Sequence, residues 1–214
     1  MITLTVEVLL VVLLVIVLMN LFKKKPAQPA SSGPLPDLAN LKPADARAGD
    51  VISVSGAGDD YTDLDFTADR CLWYQAGSRR WSEVSGPYKE RRVSMRVSID
   101  GDDEAQVAVH TDTHKLSVED FGLSESDLAD MDERQNTGDW FEYGGHNWQY
   151  RLSRETQVTG GTAGPSSFYY WEFNEKDGSG LLTFRKAEGE PFVATIYQGV
   201  PAGNVTVYRG ARAS

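Results

Sequence analysis

The sequence predicts a mainly β protein in which two similar antiparallel β-units follow one another, joined by a short helical segment and preceded by one transmembrane helix. Three observations support this fold class. Short segments of alternating apolar and polar residues fill the chain after Gly49, with turn residues between them. The pattern repeats at an offset of 89 residues. A continuous apolar segment opens the chain.

The apolar segment at the start of the chain has the length of a membrane span. Residues 2–22, ITLTVEVLLVVLLVIVLMNLF, contain one formal charge, Glu7, and as a helix would measure about 31 Å. A cleaved signal peptide carries its basic residues before the apolar segment, whereas Lys23–Lys25 follow it here. We therefore predict a single-pass membrane helix, with the N-terminus outside and the following domain in the cytoplasm.

Composition divides the chain into six parts. Pro, Ala and Ser are frequent after the lysines, which is typical of an extended tether. Ser124 precedes Asp127 by three residues, and this capping-box pattern predicts a short helix. The predicted parts are a transmembrane helix at 1–22, a tether at 23–43, a first β-unit at 44–116, a helical linker at 117–132, a second β-unit at 133–208 and a disordered tail at 209–214.

The clearest strand pattern lies in the first unit. In RVSMRVSI the apolar residues Val93, Met95 and Val97 share one face, and polar residues occupy the other. Because an apolar sheet face has to be buried, we predict that the two units pack against each other, as a sandwich or as paired half-barrels.

Two glutamates occupy equivalent positions in the two units. At the offset of 89 residues Trp81 aligns with Tyr170, and Glu83 aligns with Glu172. Residues two apart on a strand share a face, so each carboxylate lies beside an aromatic ring. This combination can bind a cation, and the net charge of −10 favours cations such as polyamines.

A structural role is the alternative for these glutamates. Each could accept hydrogen bonds at a sheet edge, or pair with Arg92 or Arg185 across a hairpin. A duplicated feature is more often architectural than functional, which favours this alternative.

A second candidate site is the segment HTDTH. If the strand continues through it, His110, Asp112 and His114 point to one face and could hold a zinc-like or iron-like ion. The alternative is a polar strand end that faces water.

Charge and motifs exclude several functions. The acidic chain is repelled by nucleic acid. The sequence lacks a Gly-x-Ser-x-Gly motif and a phosphate-binding loop, so no cofactor is predicted and a non-enzymatic protein is favoured. Cys71 is the only cysteine, so no intramolecular disulfide can form.

Several motifs resemble those of the bacterial family catalogued as domain of unknown function 4178. In chain order they are GDVISVSG, RWSEV, FEYGGHNWQYRLSRETQV, YYWEF, GLLTFRK and YQGVPAGNVTVY, between Ala48 and Tyr208. The family has no established activity, and the resemblance implies a location in the bacterial inner (cytoplasmic) membrane and work in membrane or envelope stress. We therefore expect a membrane-anchored scaffold or protein-interaction module with a membrane-associated partner. A polyamine or other cation sensor is the alternative, and a metal-dependent enzyme is the third hypothesis.

Overall fold

The computed structural model describes residues 41–99, 105–161 and 164–210. The strands of the first half are β1 (Val51–Val54), β2 (Leu64–Thr67), β3 (Arg70–Ala76), β4 (Arg79–Tyr88), β5 (Arg91–Ile99) and β6 (Ala105–His110). One α-helix follows, α1 (Glu125–Arg134). The strands of the second half are β7 (Trp140–Tyr143), β8 (His146–Gly160), β9 (Ser166–Glu175), β10 (Gly180–Lys186), β11 (Val193–Val200) and β12 (Val205–Tyr208).

Eight of these strands close into one antiparallel barrel. Strands β3 to β6 form one four-stranded meander, and β8 to β11 form a second. Strand β6 pairs with β11, and β3 pairs with β8, so both edges of each meander are joined to the other meander. Strand β7 extends the sheet beyond β8, while β12, β1 and β2 form a separate three-stranded sheet.

The prediction of two tandem β-units packed as a sandwich or paired half-barrels is wrong. The two meanders share a single closed barrel instead. The separate sheet also mixes the two halves, because β12 pairs with β1 through Val54 and Val205. Closure satisfies the backbone groups at the meander edges, which two independent four-stranded sheets would leave exposed.

The apolar faces of the barrel strands point outward and are covered by other elements. Val93, Met95 and Val97 of β5 pack against the three-stranded sheet, in a core that includes Ile52 and Phe66. On the opposite side, the apolar residues of β9 and β10 pack against α1. This second core contains Trp171, Phe173, Leu182, Phe184, Leu128 and Met131. The alternate residues of the same strands therefore face the interior of the barrel.

Helix α1 overlaps the second half of the segment predicted as a helical linker, extends two residues beyond it and has defined ends. Asp127 donates its backbone N–H to Ser124 Oγ, and the carboxylate of Asp127 accepts from the Ser124 backbone, which completes a capping box. At the other end, Gln135 adopts a left-handed conformation with φ of 47°. Near this end Asp132 accepts hydrogen bonds from Tyr169 Oη at 2.8 Å and from Ser153 Oγ, so the helix is fixed to β9 and β8.

The predicted transmembrane helix and most of the predicted tether fall outside the described residues. Among residues 41–99, 105–161 and 164–210, no helix is long and apolar enough to cross a membrane. Of the predicted tail at 209–214, the first two residues are described: Arg209 Nη1 donates to Asp50 Oδ2 at 2.7 Å, and Gly210 N donates to Asp50 Oδ1 at 3.2 Å.

Candidate functional site

A buried carboxylate, Glu172 of β9, organises one end of the barrel interior. Its Oε1 lies 2.7 Å from Arg79 Nη1, and its Oε2 lies 2.6 Å from Arg96 Nη2. Tyr170 Oη donates to Oε2 at 2.7 Å, and Arg151 Nε stands 3.6 Å from Oε1. Since β5 and β9 are not neighbours in the barrel, the contact between Arg96 and Glu172 crosses the interior.

Arg96 is enclosed by aromatic rings as well as by the carboxylate. Its guanidinium lies 4.3 Å from the ring centre of Trp81 and donates to Tyr170 Oη at 2.5 Å. Trp81 in turn stacks on Tyr74 with ring centres 5.2 Å apart. The Arg96 side chain is only 2% exposed, so its charge needs compensation within the protein. Glu172 and the faces of these rings supply it.

A second charge pair crosses the barrel interior beside the first. Arg185 of β10 donates from Nη2 to Glu83 Oε2 at 3.1 Å, and Tyr197 Oη donates to the same oxygen at 3.0 Å. Arg185 also lies 5.3 Å from the ring centre of Tyr74 and 5.5 Å from that of Phe168. Both charge pairs therefore join one half of the chain to the other.

The two pairs shift the ionisation of their members. Burial by itself would raise the pKa of Glu172, but the guanidinium groups of Arg96 and Arg79 overcome this effect and hold the pKa below its usual value. Burial, and then the charge of Glu83, raises the pKa of Tyr197 well above its usual value. Glu172 is thus held as a carboxylate, and Tyr197 is held as a neutral hydrogen-bond donor.

The structure brings together all four residues of the predicted ligand site. Trp81, Glu83, Tyr170 and Glu172 all face the barrel interior, as strand alternation predicts. A cation does lie against these rings and carboxylates, but it belongs to the chain: Arg96 binds Glu172 and Arg185 binds Glu83. The geometry therefore favours the structural alternative, in which each glutamate pairs with an arginine.

The sequence suggested Arg185 as a partner across a hairpin but did not suggest Arg96, although one signal pointed to it. Arg96 and Arg185 are themselves 89 residues apart, so they repeat with the glutamates. The repeat is not kept in the strand pairing, however. Glu83 faces Arg96 on the neighbouring strand, whereas Glu172 faces Thr183. The pairing of the second hairpin is shifted by two residues relative to the first.

The three residues of the predicted metal site do not converge. Strand β6 ends at His110, so the alternation that would align the three side chains stops there. His110 Nδ1 lies 2.8 Å from the carbonyl oxygen of Ile196, while His114 Nδ1 lies 2.6 Å from Asp112 Oδ1. Within the described part of the chain, no group of three His, Cys, Asp or Glu side chains is arranged to hold a metal ion.

A cavity of about 640 Å³ opens at the barrel end where Glu172 lies. Five charged side chains, Arg79, Arg96, Arg151, Glu172 and Glu175, line it. Further polar groups come from Ser98, Gln106 and Asn174. One wall is apolar and contains Leu181, Val200, Pro201 and Ala202. The cavity thus combines a charged floor, neutral hydrogen-bonding groups and an apolar wall.

Comparisons with protein-family models, with curated proteins and with solved structures return no match. The resemblance to domain of unknown function 4178 and the membrane-stress role that it implies therefore stay predictions. The predicted location of the protein also stays a prediction.

Proposed function

We propose that this protein is a non-enzymatic binding module that takes a small molecule into the cavity at the end of its barrel. The cavity itself is the observation that carries the proposal. Its volume of about 640 Å³ lies in the range of known ligand pockets, and the mouths of β-barrels are frequent binding sites.

The composition of the cavity supports binding rather than catalysis. The charged groups of its floor are engaged with one another, as the contacts of Glu172 with Arg79 and Arg96 illustrate. Such a network positions donors and acceptors rigidly, which lowers the entropy cost of binding. Glu172 is already hydrogen-bonded by three neighbours, which makes it a poor proton acceptor for a reaction.

A cavity-blocking variant tests this function. Gln106 lines the cavity and is exposed at its mouth, so Gln106→Trp should fill the opening without disturbing the core. Ligand-observed NMR of the full-length chain with a library of small polar molecules should identify binders. We expect their affinity to fall about tenfold or more in Gln106→Trp.

The matched control is Gln157→Trp, because Gln157 is exposed on β8 and does not line the cavity. This variant should bind like the unmodified protein. The proposal fails if no library member binds saturably. It also fails if Gln106→Trp binds every ligand with the same affinity as Gln157→Trp.

Protein interaction is the second candidate function, and one edge of the sheet favours it. Strand β7 ends the nine-stranded order, and the side chain of Trp140 on it is 60% exposed. An edge strand can accept an extended segment of a partner through backbone hydrogen bonds, and an aromatic side chain can anchor that segment.

Site-specific photo-crosslinking in cells tests this second function. A crosslinker placed at Trp140 should capture one partner in stoichiometric amount. Trp73 is the control, since it is 50% exposed but lies on β3, which is paired on both sides. Equal capture from both positions, or none from either, would exclude β7 as a docking edge.

A further inference from the structure

The pattern of an aromatic residue followed two positions later by glutamate occurs again on β7, at Trp140 and Glu142. Residues two apart on a strand share a face, so the indole and the carboxylate lie side by side. Both residues are exposed, Trp140 by 60%. Phe141 and Tyr143 alternate with them and pack into the core on the opposite face. Strand β7 therefore presents an aromatic ring and a carboxylate together on an accessible surface.

This pair differs from the two similar pairs inside the barrel, which hold arginines of the chain itself. Arg96, for example, lies 5.7 Å from the ring centre of Tyr170 and bonds to Glu172 of the same pair. Among the described residues, no arginine, lysine or histidine forms an ion pair with Glu142 or lies over the ring of Trp140. The ring and the carboxylate on β7 are thus both accessible to a cationic group from outside the chain.

The backbone groups of the same two residues point to the open side of β7. Asp139 accepts a hydrogen bond from the backbone N–H of Tyr150 at 2.8 Å, so these two residues form a hydrogen-bonded pair next to the β7–β8 ladder. Because hydrogen-bonded and non-hydrogen-bonded pairs alternate in an antiparallel ladder, Trp140 and Glu142 belong to non-hydrogen-bonded pairs. Their N–H and C=O groups therefore point away from β8, on the side where β7 ends the order of the described strands.

Resting on the second candidate function, we propose that β7 takes an extended segment of a partner protein that carries an arginine or lysine opposite Glu142. In an antiparallel pairing, the two partner residues opposite Trp140 and Glu142 exchange backbone hydrogen bonds with them and point their side chains to the same face. The basic side chain bonds to the carboxylate and lies diagonally across from the indole, within reach of its face. An apolar residue two positions further along the segment packs on Trp140.

The charge around β7 also favours a basic segment. Helix α1, which shares a core with Phe141 of β7, contains five acidic residues and one basic residue: Glu125, Asp127, Asp130, Asp132, Glu133 and Arg134. The basic residue is itself paired with Asp139 at 2.7 Å. A basic segment is therefore attracted towards this edge, while backbone hydrogen bonds supply affinity and the paired side chains supply specificity.

Three capped heptapeptides serve as probes: Ser-Thr-Arg-Thr-Leu-Thr-Ser and its relatives with Gln or Glu in place of Arg. They are titrated into the full-length chain at low ionic strength, with nuclear magnetic resonance of the backbone amides as the readout. We expect saturable binding of the Arg peptide, with the Gln peptide about threefold weaker and the Glu peptide about tenfold weaker. Added salt should reduce these differences. Hydrogen exchange should slow at the N–H groups of Trp140 and Glu142, which face the open side.

Protein variants and modified peptides locate the contact. Glu142→Lys should reverse the order, so that the Glu peptide binds best. Glu155→Lys is the matched control, because Glu155 is exposed on β8 and lies far along that strand from its pairing with β7, and it should leave the order unchanged. N-methylation of the peptide leucine, whose N–H faces the edge, should abolish binding. N-methylation of the threonine between arginine and leucine should not, because that N–H points away.

Several results would overturn the inference. If the three peptides bind equally and exchange still slows at Trp140 and Glu142, β7 is a docking edge but the basic segment is wrong. Slower exchange at these groups with rising protein concentration, and without peptide, would assign the edge to a second copy of the chain. Binding of no peptide at about 1 mM also overturns the inference. If a crosslinker at Trp140 then captures no partner either, the second candidate function fails with it.

Discussion

At the scale of single residues, the barrel interior holds arginine side chains of the chain itself at the place where the sequence predicted a bound cation. Arg96 lies against Trp81 and bonds to Glu172, so the ring and carboxylate that predicted a cation site hold a guanidinium of the same chain. Strand alternation was sufficient to predict that each glutamate shares a face with an aromatic residue. It could not predict the partner, because Arg96 and Glu172 are 76 residues apart and meet only across the barrel.

The first prediction concerns Glu172 itself. Glu172→Gln keeps the shape of the side chain but removes the charge that balances Arg79 and Arg96. Leaving a buried charge without its partner typically costs about 3–5 kcal/mol, so we expect a loss of this size in the free energy of unfolding. Urea denaturation followed by tryptophan fluorescence measures it.

The control for this prediction is Glu155→Gln, on the exposed side of β8. It should change the free energy of unfolding by less than about 0.5 kcal/mol. If Glu172→Gln costs no more than this control, the buried pair makes no net contribution to stability.

The second prediction is the pH dependence of the same carboxylate. The pKa of Glu172 is lower in the folded protein than in the unfolded chain, where it is about 4.3. Its stabilising effect is therefore complete above about pH 4.3 and is lost as the pH falls through the lower folded-state pKa. The difference in unfolding free energy between the unmodified protein and Glu172→Gln should narrow from pH 7 to pH 3. A difference that stays constant would contradict the depressed pKa.

At the scale of elements, the sequence was informative about where strands lie and less so about their surroundings. The strand RVSMRVSI was recognisable because its side chains alternate. The sequence predicted burial for its apolar face, but Ser94, Arg96 and Ser98 of its polar face are buried as well. Both faces of this strand are covered, one by the three-stranded sheet and the other by the barrel interior. Alternation reports a difference between two faces, but not which of them meets water.

The third prediction concerns the attachment of α1 to the barrel. Asp132 accepts hydrogen bonds from Tyr169, Gln135 and Ser153. In Asp132→Ala these donors lose their acceptor, so the free energy of unfolding should fall by about 1–3 kcal/mol. Asp130→Ala on the same helix is the control, and it should stay within about 0.7 kcal/mol because it alters only helix propensity and one exposed charge interaction with Arg134.

The same variant has a spectroscopic signature. Burial, together with the hydrogen bond to Asp132 and the charge of that residue, raises the pKa of Tyr169 to about 12. In Asp132→Ala this pKa should fall towards 10, which ultraviolet titration of the tyrosinate band can follow. Tyr169→Phe identifies the band. An unchanged pKa would show that Asp132 does not hold Tyr169.

At the scale of the whole molecule, the offset of 89 residues correctly matches strands of the two halves, but it does not predict how these strands assemble into one barrel. Adding 89 to the bounds of β4 gives 168–177, which overlaps β9, and adding it to β5 gives 180–188, which overlaps β10. The repeat could not show that the edges of the two meanders would pair, because edge pairing between β6 and β11 or between β3 and β8 has no local sequence signal.

The fourth prediction follows from this shared barrel. Unfolding of the full-length chain should be one cooperative transition, with coincident curves from far-ultraviolet circular dichroism and tryptophan fluorescence. Residues 44–116 or 133–208 expressed alone should show no cooperative transition, because each fragment lacks the partner for two strand edges and for its buried charges. A fragment that unfolds cooperatively by itself would contradict a single barrel.

The pairing of β12 with β1 also has a consequence for the timing of folding during synthesis. Val54 and its partner Val205 are separated by 151 residues, and β1 emerges long before β12 exists. Until then the three-stranded sheet is incomplete, and the apolar face of β4 to β6 beneath it lacks part of its cover. Such distant pairings form slowly because the intervening chain has to be closed into a loop first. From the end of β6 at His110 until β12 begins at Val205, the nascent chain therefore exposes an apolar surface, and this is the interval in which a chaperone would bind it.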